Sequence, residues 1–193
     1  MSNLHIVIAR YNESLDWLDT CLTPEQRRSV WVYDKGTSGS LPNIGREAHT
    51  YLTHIIENWD NLPERVYFLQ GDPFPHLEFQ PSFEMVQRWF RAWDIQINRD
   101  GFSKNIKVND IDRNYREPNT DPCPLNFGDW MEAHVAPFRS PIQWYTGAIF
   151  GVSGANIKNR SKEYYIKLLD EFQTLKPETA YYIERCWFYV FQL

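Results

Sequence analysis

The residues of this chain best suited to chemistry lie in the run Val66-Tyr67-Phe68-Leu69-Gln70-Gly71-Asp72-Pro73-Phe74-Pro75-His76. It starts apolar and β-prone, as a short buried strand does. Gly71 breaks the run and sets Asp72 just past the strand's carboxyl end. Pro73 and Pro75 stiffen the exit by fixing φ and removing backbone donors. Ligands of open α/β sheets bind outside the carboxyl ends of the strands. Asp72, with His76 four residues on, therefore has the chemistry of a metal site that carries phosphates. The same residues also suit a plain turn at Asp72 and a surface histidine at His76, and the run alone leaves both readings open.

Other polar groups fall at corresponding places. Leu4-His5-Ile6-Val7-Ile8-Ala9 reads as a central strand, and Arg10-Tyr11-Asn12-Glu13 follows at its carboxyl end. Asn12 is placed to cap a helix carrying Leu15, Leu18 and Leu22 inward. Arg10 and Tyr11 sit where a phosphate or a base would lie. Val30-Trp31-Val32-Tyr33 is a second strand, closed by Asp34-Lys35-Gly36. A helix then starts at Asn43 or Gly45, with Ala48, Leu52, Ile55, Ile56 and Trp59 on one face. Arg46, Glu47, His49 and Thr50 occupy its first turns. The macrodipole disfavours a cation there, whereas a phosphate would be favoured by both the dipole and Arg46. A solvated helix start is the other reading of Arg46.

Further along, Ser82 caps a helix with Val86, Trp89, Phe90, Trp93 and Ile97 on one face, a stripe that reads as core. Residues 98–124 turn polar and irregular, as functional or partly disordered loops do. Phe127-Gly128-Asp129-Trp130-Met131-Glu132-Ala133-His134 mixes carboxylates, an aromatic and a histidine. Residues 135–142 carry two prolines and read as extended. Gly147-Ala148 offers backbone with little side chain, open to close approach by a ligand, before a strand through Val152. Two helices finish the chain. One has Tyr165, Leu168, Leu169 and Phe172 inward. The other has Tyr182, Ile183, Cys186, Trp187 and Val190 inward, with Glu184 and Arg185 on its polar side.

The elements that must position these groups fit one domain of 193 residues. The net charge of -5, with Lys and Arg scattered, argues against a nucleic-acid surface. The three cysteines, Cys21, Cys123 and Cys186, are far apart and form no CxxC pair, which fits a reducing compartment and argues against a zinc knuckle. The start shows no signal-peptide pattern, and no apolar run reaches membrane-spanning length, so a cytoplasmic location is expected. The apolar end, Trp187 to Leu193, reads as a packed segment or as a cut from a longer chain.

The order of these pieces resembles a nucleotide-sugar glycosyltransferase of the GT-A fold: Arg-Tyr-Asn-Glu after the first strand, Asp34 after the second, Asn43-Ile44-Gly45-Arg46-Glu47-Ala48, Gln70-Gly71-Asp72, and Thr146-Gly147-Ala148-Ile149-Phe150-Gly151-Val152. More closely, it resembles the glycosyltransferase domain of large algal (chlorella) viruses that modifies the major capsid protein. It is similar also to a group of fungal proteins sharing the Arg-Tyr-Asn-Glu and Asn-Ile-Gly-Arg-Glu-Ala-His-Thr-Tyr-Leu patterns.

The resemblance implies a Rossmann-related α/β domain, with a mostly parallel twisted sheet flanked by helices. A nucleotide-binding half would span about 1–97 and an acceptor half about 98–193. It implies a UDP-sugar donor, a glycan or glycoprotein acceptor, Mn²⁺ or Mg²⁺ as cofactor, and host cytoplasm as the location if the chain is viral. It places Ala9, Arg10, Tyr11, Asn12, Asp34, Lys35, Arg46, Gln70, Gly71, Gly147 and Ala148 around nucleotide and donor, and Asp72 with His76 at the metal. Glu184 and Asp129 are the expected catalytic groups, Glu184 as the base. One departure stands out: Gln70-Gly71-Asp72 occupies the place of the family's Asp-x-Asp, so the first carboxylate is missing. A non-catalytic carbohydrate-binding domain that uses the aromatics is the alternative.

Overall fold

The most apolar runs become the central strands. A computed structural model describes residues 3–36, 39–76, 81–103, 107–144 and 148–192. Strand β1 (Leu4–Arg10) is flanked by parallel β2 (Val30–Asp34) and parallel β3 (Arg65–Gln70). Both β1 and β3 are buried on both faces, which is why neither alternates polar with apolar. The fourth strand, β4 (Phe150–Ser153), joins β3 antiparallel, and the order across the sheet is β2-β1-β3-β4. The sheet is therefore mixed, with an antiparallel edge beside three parallel strands. A two-stranded antiparallel ribbon, residues 107–109 with 142–144, lies apart from it.

Helices cover both faces of the sheet. On one side, Ile6, Ile8, Tyr67 and Leu69 pack with Trp17 and Cys21 of α1 (Asp16–Cys21). A four-residue α2 (Pro24–Arg27), with Thr23 and Gln26 in a capping box, leads into β2. The same side takes the Val86, Trp89, Phe90, Trp93 and Ile97 stripe of α4 (Phe83–Asp100). Ser82 caps α4 as its sequence implies. On the other side, Val7, Val66, Phe68 and Phe150 pack with Tyr51, Leu52 and Ile55 of α3 (Arg46–Glu57). That layer continues through α5 (Phe127–His134), α6 (Gly154–Ile157), α7 (Lys162–Leu169), α8 (Glu178–Glu184) and α9 (Trp187–Phe191). No helix among the described residues is long and apolar enough to cross a membrane.

Three local expectations are corrected. Asn12 caps no helix: α1 begins after Leu15 without a side-chain cap, and Leu15 and Leu18 are only half-buried. The Glu13 carboxylate instead takes the Tyr11 and Asn12 amides, which folds the loop back on itself. The final helix is two helices, broken at Arg185 and Cys186, although every inward residue read from its period is buried. Residues 98–124 are not all loop, since α4 runs on to Asp100 and a strand occupies 107–109.

Candidate functional site

Strand β1 connects to β2 on one side and β3 lies on the other, so the strand order reverses beside β1. The crevice outside the carboxyl ends of such strands is the standard ligand position of open α/β sheets. A cavity of about 150 Å³ lies there, lined by Ala9, Arg10, Tyr11, Glu13, Lys35, Asn43, Arg46, Glu47 and Gln70. It suits part of a ligand, since whole small-molecule sites run to several hundred Å³ (~300 or more).

Each wall has a mechanical origin. Arg10 and Asp34 are register partners on β1 and β2 and form an ion pair. Asp34 also accepts the Gly36 amide at 2.7 Å, so it orients Arg10 and is not itself part of the lining. Arg10 Nε donates to the Glu13 carbonyl at 2.8 Å. Tyr11, 51% exposed, stands at the rim. Asn12 is exposed and lies outside the lining.

The entry to α3 is unusual. Gly45 has φ +60°, in the region that only glycine enters cheaply, and Arg46 follows with φ +48°. A non-glycine residue there is held by its surroundings, and Lys35 does the holding. Its ammonium, on a side chain 6% exposed, donates to the Ile44 carbonyl at 2.6 Å and to the Arg46 carbonyl. Burial draws its pKa down to about 8, with Glu47 acting in the opposite direction. Lys35 is thus a clamp on the backbone. Arg46 lies with its guanidinium 4.6 Å from the Tyr181 ring centroid and 3.5 Å from Glu47. Burial works against its charge, but Glu47, Tyr181 and Glu184 outweigh that and raise its pKa. The Tyr51 hydroxyl donates to the Ala148 carbonyl at 2.8 Å. Burial first, then the charges of Glu47 and Glu184, raise the Tyr51 pKa. Arg46, Glu47, Tyr51, Ala148 and Glu184 therefore share one neighbourhood, built from three distant parts of the chain.

At the end of β3, the Gly71 amide bonds to the Ala9 carbonyl at 2.9 Å. The Trp17 indole donates to the Gly71 carbonyl at 2.8 Å, which ties the turn to α1. A Cβ on Gly71 would lie 2.7 Å from Glu13 Oε2. Glu13 thus reaches the turn at the end of β3. Asp72 is exposed and accepts the Phe74 amide at 3.3 Å. The His76 side chain and all of Gly147 lie outside the described residues.

Asp129 is placed differently from these groups. Its carboxylate takes Arg113 at 2.6 and 3.0 Å and Asn126 at 2.8 Å, and it is not in the cavity lining. Glu132 shares the same arginine. Glu13 and Glu47 line the cavity although sequence reasoning assigned them no role. The available signal was their position, each within a few residues of a strand end or helix start.

A Mn²⁺ or Mg²⁺ ion that bridges phosphates needs only one or two carboxylates from the protein. Glu13, whose Oε2 lies by Gly71, and Asp72, next to Gly71 in the chain but outside the cavity lining, would supply that number. Among the described residues no group of three or more His, Cys, Asp or Glu side chains is arranged to hold an ion. Two carboxylates would suit a metal that arrives with its phosphates.

No curated protein and no solved structure matches the chain. Residues 6–193 match the model of the family described as "Protein of unknown function (DUF3431)", and the chain belongs to that family.

Proposed function

We propose that this chain is a glycosyltransferase that uses a nucleotide-sugar donor, a UDP-sugar by resemblance, together with a divalent metal. One observation carries the reading. Arg10, Tyr11, Glu13, Arg46, Glu47 and Gln70 converge on one cavity outside the carboxyl ends of β1, β2 and β3. That is a position for a nucleotide.

The roles follow from the chemistry. Arg46 meets an anionic phosphate oxygen at the start of α3, where the helix dipole adds to its charge. The Tyr11 ring at the rim offers a face for the base. Gln70 offers an amide to a ribose hydroxyl. Asp72 and Glu13 would hold the metal, which when bound neutralises charge on the leaving diphosphate. Glu47 accepts the proton of the acceptor hydroxyl as its oxygen bonds to the anomeric carbon. The bond from that carbon to phosphate oxygen breaks, and its electron pair leaves with UDP. Glu184 is the other carboxylate acting on Arg46 and is the second choice for base.

The test is UDP release from UDP-sugars in Mn²⁺, first without acceptor, where slow hydrolysis is expected. Asp72→Ala should remove the metal dependence. Glu47→Gln should depress transfer more than Glu184→Gln; the reverse order would move the base to Glu184. Absence of UDP release from every UDP-sugar tried, by protein with a cooperative unfolding transition, would remove the reading.

A further inference from the structure

A second cavity, of about 350 Å³, lies between the end of α5 and one side of α7 with Arg160 just before it. Its polar lining is Glu132, His134, Arg160, Tyr164 and Lys167. We infer that it is a binding site for an oxyanion, a phosphate or carboxylate group on a small organic molecule, recognised by Arg160 and Lys167.

The charges in the cavity are unequal. Glu132, the only acidic lining residue among the described residues, has both carboxylate oxygens on Arg113, at 3.0 and 2.6 Å. Its charge is already compensated from outside the cavity. His134 is turned to the Glu171 carboxylate at 3.9 Å and stacks on Trp130. Arg160 and Lys167 remain as the cations of the lining, with Glu163, outside the lining, acting on Lys167 from one turn earlier on α7.

Arg160 is also set in advance. One terminal nitrogen donates to the Val135 carbonyl at 2.6 Å, and the guanidinium lies 4.6 Å from the Tyr164 ring centroid. Two contacts of this kind fix the planar fork that pairs with phosphate or carboxylate. The protein leaves the pair short of acceptors: Arg160 Nε and the Tyr164 hydroxyl are buried without a hydrogen-bond partner among the described residues. The flexible Lys167, exposed on α7, closes the site as a point charge. None of these residues lines the cavity at the strand ends, so the inference is independent of the proposed activity.

The experiment is a titration with inorganic phosphate, followed by backbone amide resonances, against chloride at equal ionic strength. Saturable shifts at residues 132–135 and 160–168, absent with chloride, are expected. Lys167→Glu, a change at an exposed position, should weaken that binding roughly ten- to a hundredfold, the range of one charge-assisted hydrogen bond. Arg160→Lys should weaken it similarly, and its unfolding transition reports whether the Val135 contact survives. A second arm uses a hexose phosphate and a hexuronate to distinguish a phosphate from a carboxylate source. No saturable shift in these segments, or equal phosphate affinity in Lys167→Glu and the wild type, would overturn the inference.

Discussion

Lys35→Met should change how stability depends on pH in the alkaline range. Burial lowers the Lys35 pKa from 10.5 to about 8. Between those values the unfolded chain holds the proton and the folded chain has released it. The unfolded state then binds more protons, so this residue makes stability rise as pH climbs from about 8 towards 10.5. At about 1.4 kcal/mol per pH unit, the full rise approaches 3 kcal/mol. Buried tyrosines work against it above pH 10: Tyr67, Tyr165 and Tyr182 have raised values, chiefly from burial, so the unfolded chain loses those protons first. The difference between wild type and Lys35→Met cancels them. Methionine keeps most of the length of the side chain but leaves the Ile44 and Arg46 carbonyls without the ammonium. Urea unfolding at intervals from pH 7 to 10.5 reads the effect. The wild type should gain about 2–3 kcal/mol on the variant across that interval. Parallel curves would mean that Lys35 keeps an ordinary pKa, with its carbonyl partners and Glu47 offsetting the cost of burial, and would refute the reasoning.

Acid stability should be limited by His54. It is fully buried between Tyr33 and His5, and burial followed by the His5 charge lowers its pKa to about 3. As pH falls from 6.5 towards 3 the unfolded chain takes the proton first, so stability falls; His54→Gln should flatten the decline in urea midpoints. Glu178→Ala should cost about 3–5 kcal/mol in thermal unfolding. Glu178 is 1% exposed and its carboxylate holds Arg116 and the Glu117 and Cys123 amides, which would be left without it. Gly71→Ala should weaken metal-dependent UDP binding while the fold survives, because the new methyl would meet Glu13 Oε2 at 2.7 Å; calorimetry with and without Mn²⁺ checks it.

Much of the frame was legible. The runs Leu4 to Ala9 and Val66 to Leu69 are apolar without alternation because both faces of each strand are covered. Ser82 and the Trp89–Trp93 stripe gave α4 because cap and period agree there. The break at Arg185 was not legible: the residues on either side keep one helical period, with no proline or glycine to mark the stop. The antiparallel direction of β4 was hidden because a short apolar run carries no sense of direction. Arg46, singled out from its place at a helix start, and Gln70, named through the resemblance, both line the cavity. The use of Lys35 on backbone carbonyls was missed because burial of a lysine beside a strained turn depends on the tertiary fold. Glu13 was not singled out because it approaches Gly71 from another loop, 58 residues earlier in the chain, which only the tertiary fold brings there.

The central claim is that the cavity at the strand ends takes a nucleoside diphosphate through Arg46. Calorimetric titration of UDP and of uridine, with and without Mn²⁺, into wild type and Arg46→Ala tests it most directly. UDP binding should strengthen with Mn²⁺, and Arg46→Ala should lose roughly tenfold or more for UDP but little for uridine. No UDP binding in either condition, or equal losses for UDP and uridine, would contradict it.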